Sequence, residues 1–183
     1  MKHEPGGWLP VIRAILPMLL LYGVAQLPQS FAKSPGEIDI GGTVREATLR
    51  GLNGPSRKLS EFRGRPLIIN LWASWCEPCR AEMASLERLA WLESAPRFSI
   101  IGISTDDDPA RAREWLEASN ATINQFIDTG MQMEHMLGAA RIPLTVLVDP
   151  QGRVVDKIYG AREWDSPESL RLIRAAFGRG PPR

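Results

Sequence analysis

Two cysteines stand three positions apart in the run Trp72-Ala73-Ser74-Trp75-Cys76-Glu77-Pro78-Cys79, and the chain has no others. On a helix, positions i and i+3 share a face, so the two sulfurs can approach to bonding distance. Such a pair can exchange disulfides: a thiolate attacks, a mixed disulfide forms, and the second thiol releases it. Other chemistries for the pair fail on particulars. A zinc site needs four ligands, and past residue 32 only His135 is left as a histidine. Covalent haem attachment needs His after the second cysteine, and that residue is Arg80. A purely structural disulfide closing so short a loop would constrain the unfolded chain little.

Placement assigns roles to the two thiols. The nearly continuous apolar run Leu67 to Ala73 suits a central strand covered on both faces. Pro78 suits the first turn of a helix, where its missing N–H costs nothing. Cys76 is therefore expected at the helix N-terminus, open to solvent, where free N–H groups and the dipole favour a thiolate. Cys79, one turn inward, is expected to be less exposed. That makes Cys76 the attacking thiol and Cys79 the resolving one. Glu77 sets a negative charge between them and disfavours the Cys76 thiolate, which makes the disulfide a weaker oxidant and favours a reductase. Alternatively, Glu77 only favours the helix N-terminus through the dipole.

The elements around the pair follow from pattern. Thr43 to Arg50 and Arg57 to Leu59 suit a hairpin around Asn53-Gly54-Pro55. After Pro78, the residues Met83, Leu86, Leu89 or Ala90 recur at helical spacing, and Ser94-Ala95-Pro96 ends that helix. Phe98 to Ser104 is a second buried strand, and Asp108-Pro109 opens a helix with Trp115 and Leu116 on its apolar side. Phe126-Ile127 is a short strand and Met131 to Ala140 a short helix. Thr145 to Val148 and Val154 to Tyr159 flank the turn Asp149 to Gly152, and Ser166-Pro167-Glu168 caps a last helix through Phe177. This order implies a mixed sheet covered by helices.

The first 32 residues stand apart. A weakly basic start with Lys2 and Arg13 precedes the apolar run Ala14 to Ala25, which has the length of a signal-peptide core and is short for a membrane span. Ser30-Phe31-Ala32 offers a cleavage site after Ala32. The alternative is an uncleaved anchor through Leu9 to Leu27, a possible membrane tether; either way the body is exported, periplasmic or otherwise extracytoplasmic. Residues 33–42 read as a linker and residues 43–183 as the domain. The exported part, about 150 residues, buries roughly 70% of the surface of its unfolded chain and needs no disulfide staple. Cysteines in an oxidising compartment that stability does not need suggest chemistry. Lys plus Arg is 22 and Asp plus Glu is 21, so no charge surplus points to nucleic acid.

The run Asn70 to Glu82, the run Ile142 to Gly152 and the segment Leu59 to Pro66 resemble the TlpA/ResA-like branch of the thioredoxin superfamily, over about residues 43 to 177. That branch includes periplasmic reductases of cytochrome c maturation. The resemblance implies a thioredoxin-like α/β fold: a mixed central β-sheet flanked by helices, with an N-terminal β-hairpin extension. It implies export and a reducing role, with no cofactor beyond a redox-active Cys76–Cys79 disulfide. Disulfide-containing exported proteins are the expected substrates, apocytochrome c among the candidates, and a membrane electron-relay protein is the expected reductant. It further implies that Pro143 is cis and faces the cysteines, with the Ile142 backbone pairing with a substrate strand. Generic statistics favour a trans proline opening the strand, since only about 5–6% of X–Pro bonds are cis. Leu144 stands where the family more often has Thr, which bears on substrate preference.

Two further residues are expected to tune the pair. Asn70 occupies the strand position of the buried Asp of cytoplasmic-type thioredoxins, and Asn cannot take up a proton as a carboxylate does. Glu82, on the same helical face as Cys79, is carried over from the family as proton acceptor and modulator of cysteine ionisation. Its alternative is a solvated helix carboxylate. Trp75 either covers the sulfurs or meets a partner, and Trp72 packs in the core. Met131, Met133, His135 and Met136 have the thioether and imidazole groups that suit copper. Helical spacing splits them between two sides, which favours core packing for the methionines and a surface position for His135. An oxidase or isomerase on the same fold, and a copper-binding assembly factor, stay open as alternatives to the reductase.

Overall fold

The computed structural model describes residues 33–92 and 98–178. The signal-peptide or anchor segment and the helix-ending Ser94-Ala95-Pro96 lie outside the described residues.

Among the described residues seven strands form one sheet. In chain order they are β1 (Thr48–Gly51), β2 (Arg57–Lys58), β3 (Leu67–Trp72), β4 (Ser99–Ser104), β5 (Asn124–Ile127), β6 (Leu144–Val148) and β7 (Val154–Tyr159). Across the sheet the order is β2-β1-β5-β4-β3-β6-β7. Strands β3, β4 and β5 are parallel neighbours, and β6, β7 and the β1–β2 hairpin run antiparallel to theirs. The helices are α1 (Glu77–Trp91), α2 (Pro109–Ser119), α3 (Gln132–Leu137) and α4 (Pro167–Gly178).

All six residues of β3 are buried, as its unbroken apolar run requires of a strand covered on both faces. Their alternation divides the core. Leu67, Ile69 and Leu71 pack with Phe62, Phe126, Met133 and Met136. Ile68 and Trp72 pack with Met83, Leu86 and Leu89 of α1, Leu116 of α2 and Ile173 of α4. Asn70 shares this second face and lies opposite Thr145 in the register with β6. The expected architecture is present, with boundaries displaced by a few residues: the hairpin strand begins at Thr48, and α3 spans only Gln132–Leu137.

The segment 33–42, expected as a linker, is instead packed against the domain. Ile38 is buried, and its N–H donates to the Met136 carbonyl at 2.9 Å. The Gly41 N–H donates to Val154, whose own N–H donates to Gly42. Glu37 pairs with Lys157 at 2.7 Å with both side chains largely buried. Pro and Gly suggested a tether, but one apolar side chain and two backbone bonds to an exposed sheet edge suffice to seat it.

Candidate active site

β3 ends at Trp72, and four residues later Cys76 caps α1. Cys76 has extended backbone dihedrals (φ −85°, ψ 99°) and its Sγ accepts the Cys79 N–H at 3.3 Å. Proline inside the first turn adds no orphan donor. Cys76 and Cys79 are joined by a disulfide, their Cα atoms 5.3 Å apart. The pair behaves as its spacing predicts, with one correction. Cys76, expected open to solvent, is only 5% exposed, against none for Cys79. The cap geometry turns its sulfur back over the first helical turn and onto Cys79, which lies in the core. Glu77, Pro78 and Arg80 are exposed around it. Trp75 is 68% exposed beside the buried disulfide, whereas Trp72 is fully buried.

The Ile142–Pro143 bond is cis. Pro143 is buried and Ile142 half-buried, and the Pro143 carbonyl accepts the Gly160 N–H. Among the described residues nothing pairs with the Ile142 main chain.

Glu82 is 2% exposed, so the alternative of a solvated helix carboxylate does not hold. Its Oε1 accepts the Asn70 amide at 2.8 Å. Its Oε2 accepts the Arg162 N–H at 3.1 Å and the Trp164 indole N–H at 3.0 Å. Burial pushes the carboxyl above the usual carboxylate range, while the donors from Trp164, Asn70 and Arg162 pull it back. Asn70 also donates to Thr145 Oγ at 3.1 Å, and its own Oδ1 is buried with no partner among the described residues. A carboxylate that burial makes easier to protonate is suited to taking up a proton from a neighbouring group.

A second buried carboxylate escaped the sequence. Asp106, just past β4, accepts the Ser74 N–H (2.9 Å), the Ser74 hydroxyl (2.6 Å) and the Ser104 hydroxyl (2.6 Å). It ties down the loop that delivers Cys76. Asp106, Asp107 and Asp108 stand in a row, and only Asp108 shows itself in the pattern, as the α2 cap that accepts the Ala110 N–H. Trp164 was missed as well; its one signal was a tryptophan stranded in a polar loop. Trp72 donates its indole N–H to Gln125 Oε1 at 2.9 Å, a third buried contact with no sequence signature.

The methionine–histidine segment does not converge. Met133 and Met136 are buried in the core, while Met131 and His135 are exposed. Among the described residues no group of three or more His, Cys, Asp or Glu is placed to hold a metal ion.

Residues 40–172 match the Redoxin family. A thiol-disulfide oxidoreductase ResA of Geobacillus thermodenitrificans is 25% identical over 151 residues, 82% of this chain and 87% of that protein. A thiol:disulfide interchange protein DsbE of Pseudomonas aeruginosa is 36% identical over 115 residues, 61% of this chain and 62% of that one. A solved Chlorobium tepidum structure, assigned as a thiol:disulfide interchange protein DsbE, superposes with a TM-score of 0.68 at 26% identity, over 76% of this chain and 99% of its own.

Proposed function

This chain belongs to the Redoxin family and is a thiol–disulfide oxidoreductase of thioredoxin-like fold, and from that premise we propose that it reduces disulfides in exported proteins, Cys76 attacking and Cys79 resolving. One observation carries the proposal: Cys76 Sγ caps α1, takes the Cys79 N–H and is bonded to the Cys79 sulfur. A thiolate at that place meets a backbone donor and the positive end of the helix.

In the reduced enzyme the Cys76 thiolate attacks one sulfur of a substrate disulfide. A Cys76–substrate bond forms, the substrate's S–S bond breaks, and its second sulfur leaves as a thiolate that takes a proton from solvent. Cys79 then gives its proton to Glu82 and attacks Cys76 Sγ. The mixed disulfide breaks, the remaining substrate sulfur leaves and is protonated, and the Cys76–Cys79 disulfide remains. Two electrons have passed from enzyme to substrate. A dithiol on a membrane electron-relay protein restores the enzyme by the same exchange in reverse.

We place the substrate strand against the exposed Trp75 and the half-buried Ile142, whose main chain has no partner among the described residues, pairing backbone to backbone beside the buried Pro143. Asn70 holds Glu82, and Glu77 and Pro78 modulate Cys76. The first 32 residues direct the chain out of the cytoplasm, as a cleaved signal or a retained anchor. The TlpA/ResA-like resemblance makes the paired cysteines of apocytochrome c the first substrate to try.

The reduction potential decides the direction. A reductase lies near the value of thioredoxin, about −270 mV, and a strong oxidase near about −120 mV. We expect the former; a potential at the oxidising end overturns the reductase and supports an oxidase.

A further inference from the structure

We propose that Trp164 is a positioning residue for the cysteine chemistry: its indole N–H fixes the Glu82 carboxylate and sets how readily that group takes the Cys79 proton. The inference deepens the proposed function and rests on Glu82 being the proton acceptor.

Trp164 sits in the loop between β7 and α4, flanked by the polar residues Arg162, Glu163 and Asp165, and is nonetheless fully buried. Its indole N–H lies 3.0 Å from Glu82 Oε2. Its backbone N–H donates to Ser85 Oγ at 3.0 Å, and the Ser85 hydroxyl in turn reaches the Arg162 and Glu82 carbonyls. On the outer side Arg88 pairs with Asp165 at 2.6 Å and with Glu163 at 2.9 Å. Glu82, Ser85 and Arg88 recur every three residues, so one stripe of α1 grips the whole loop. The loop is thereby held with an indole aimed at one carboxylate oxygen. A phenylalanine would fill the same apolar space without supplying that donor.

The charged groups around Glu82 leave the donors in control. On α1, Cys79 is one turn away, and Arg88 is engaged with Glu163 and Asp165. In the loop, Arg162 gives Glu82 only its backbone N–H, its guanidinium going to Glu168. From β3 and β6 the facing groups, Asn70 and Thr145, are neutral. Among the described residues no counter-ion pairs with the carboxylate, so each N–H aimed at it weighs heavily on its ionisation. Removing one favours the protonated form and leaves less carboxylate to receive the Cys79 proton.

The test measures the pH dependence of single-turnover disulfide reduction for the full chain, its Trp164→Phe and Glu82→Gln variants and their double variant. Beside the limb that ionisation of Cys76 sets in every variant, the proposal expects a Glu82 limb in the wild type that moves to higher pH in Trp164→Phe. The Glu82 limb is absent in Glu82→Gln, where the Cys76 limb alone remains, and the double variant matches Glu82→Gln. A profile that Glu82→Gln leaves unchanged overturns the Glu82 assignment itself. A limb lost in Glu82→Gln but unmoved in Trp164→Phe overturns only the role of Trp164. Should Trp164→Phe fail to fold, the indole N–H resonance of wild-type Trp164 is followed by nuclear magnetic resonance across the same pH range. It is expected to titrate with the Glu82 limb; a resonance that stays put across that limb overturns the proposal.

Discussion

Replacing Asp106 by alanine should loosen the very loop that carries Cys76. Asp106 is 2% exposed and receives three donors, two of them from Ser74. The two hydroxyls can turn to other acceptors, whereas the Ser74 N–H is fixed by the backbone. An orphaned buried donor costs about 1–3 kcal/mol, and bonds to a charged acceptor about 1.5–3 kcal/mol each. Removing a buried charge returns part of that loss. The expected net destabilisation is about 2–4 kcal/mol, against a total of about 5–15 kcal/mol for a domain, so Asp106→Ala still folds. Ser74→Ala forfeits one hydroxyl bond, keeps its N–H bonded to Asp106, and should cost about 1 kcal/mol. Urea unfolding of both oxidised variants measures the difference, with the m-value unchanged. The rate of disulfide reduction should also fall, by up to about 100-fold, because a displaced Cys76 attacks from a poorer geometry. A loss below about 1 kcal/mol, or one no larger than that of Ser74→Ala, refutes the reasoning.

Two further outcomes follow from the same packing. Burial raises Glu82 above its unfolded value, so its favourable contribution to stability is present below the ordinary carboxylate range and is lost as pH rises through the folded value. Thermal unfolding across that window should show the wild type losing stability relative to Glu82→Gln; a difference independent of pH contradicts this. Gly102 of β4 faces Gln125, and an added Cβ would lie 2.0 Å from Gln125 Oε1. That oxygen is held by Trp72, and Gln125 is 1% exposed, so Gly102→Ala should cost about 1–3 kcal/mol by overpacking. Denaturant titration showing no loss would mean that Gln125 finds another place. Gly102→Ala also serves Asp106→Ala as a control of comparable instability away from the cysteine loop.

The sequence made the chemistry legible because the chemistry is local. Cys76 and Cys79 lie on one helical turn, Pro78 marks where that turn begins, and the buried run of β3 points it outward. The strands and helices followed from period and punctuation for the same reason. What was hidden depends on partners distant in the chain. Glu82 meets an indole and a backbone N–H from residues eighty positions on. Asp106 reaches back to Ser74, and no short-range signal says which of three consecutive aspartates turns inward. Ile38 was misjudged as part of a linker because its burial depends on α3, assembled a hundred residues later. The exposure of Cys76 was overestimated for a related reason: helix position gave its backbone environment but not the direction of its sulfur.

Trapping the intermediate is the most direct test of the exchange. Cys79→Ser leaves Cys76 to attack with nothing to resolve the product. Incubated in reduced form with a disulfide-bonded substrate and mapped by mass spectrometry, this variant should accumulate a mixed disulfide at Cys76, and Cys76→Ser should accumulate none. A stable adduct on Cys79 in the Cys76→Ser protein, with Cys76 left unmodified in its counterpart, would contradict the assignment of attacking and resolving thiols.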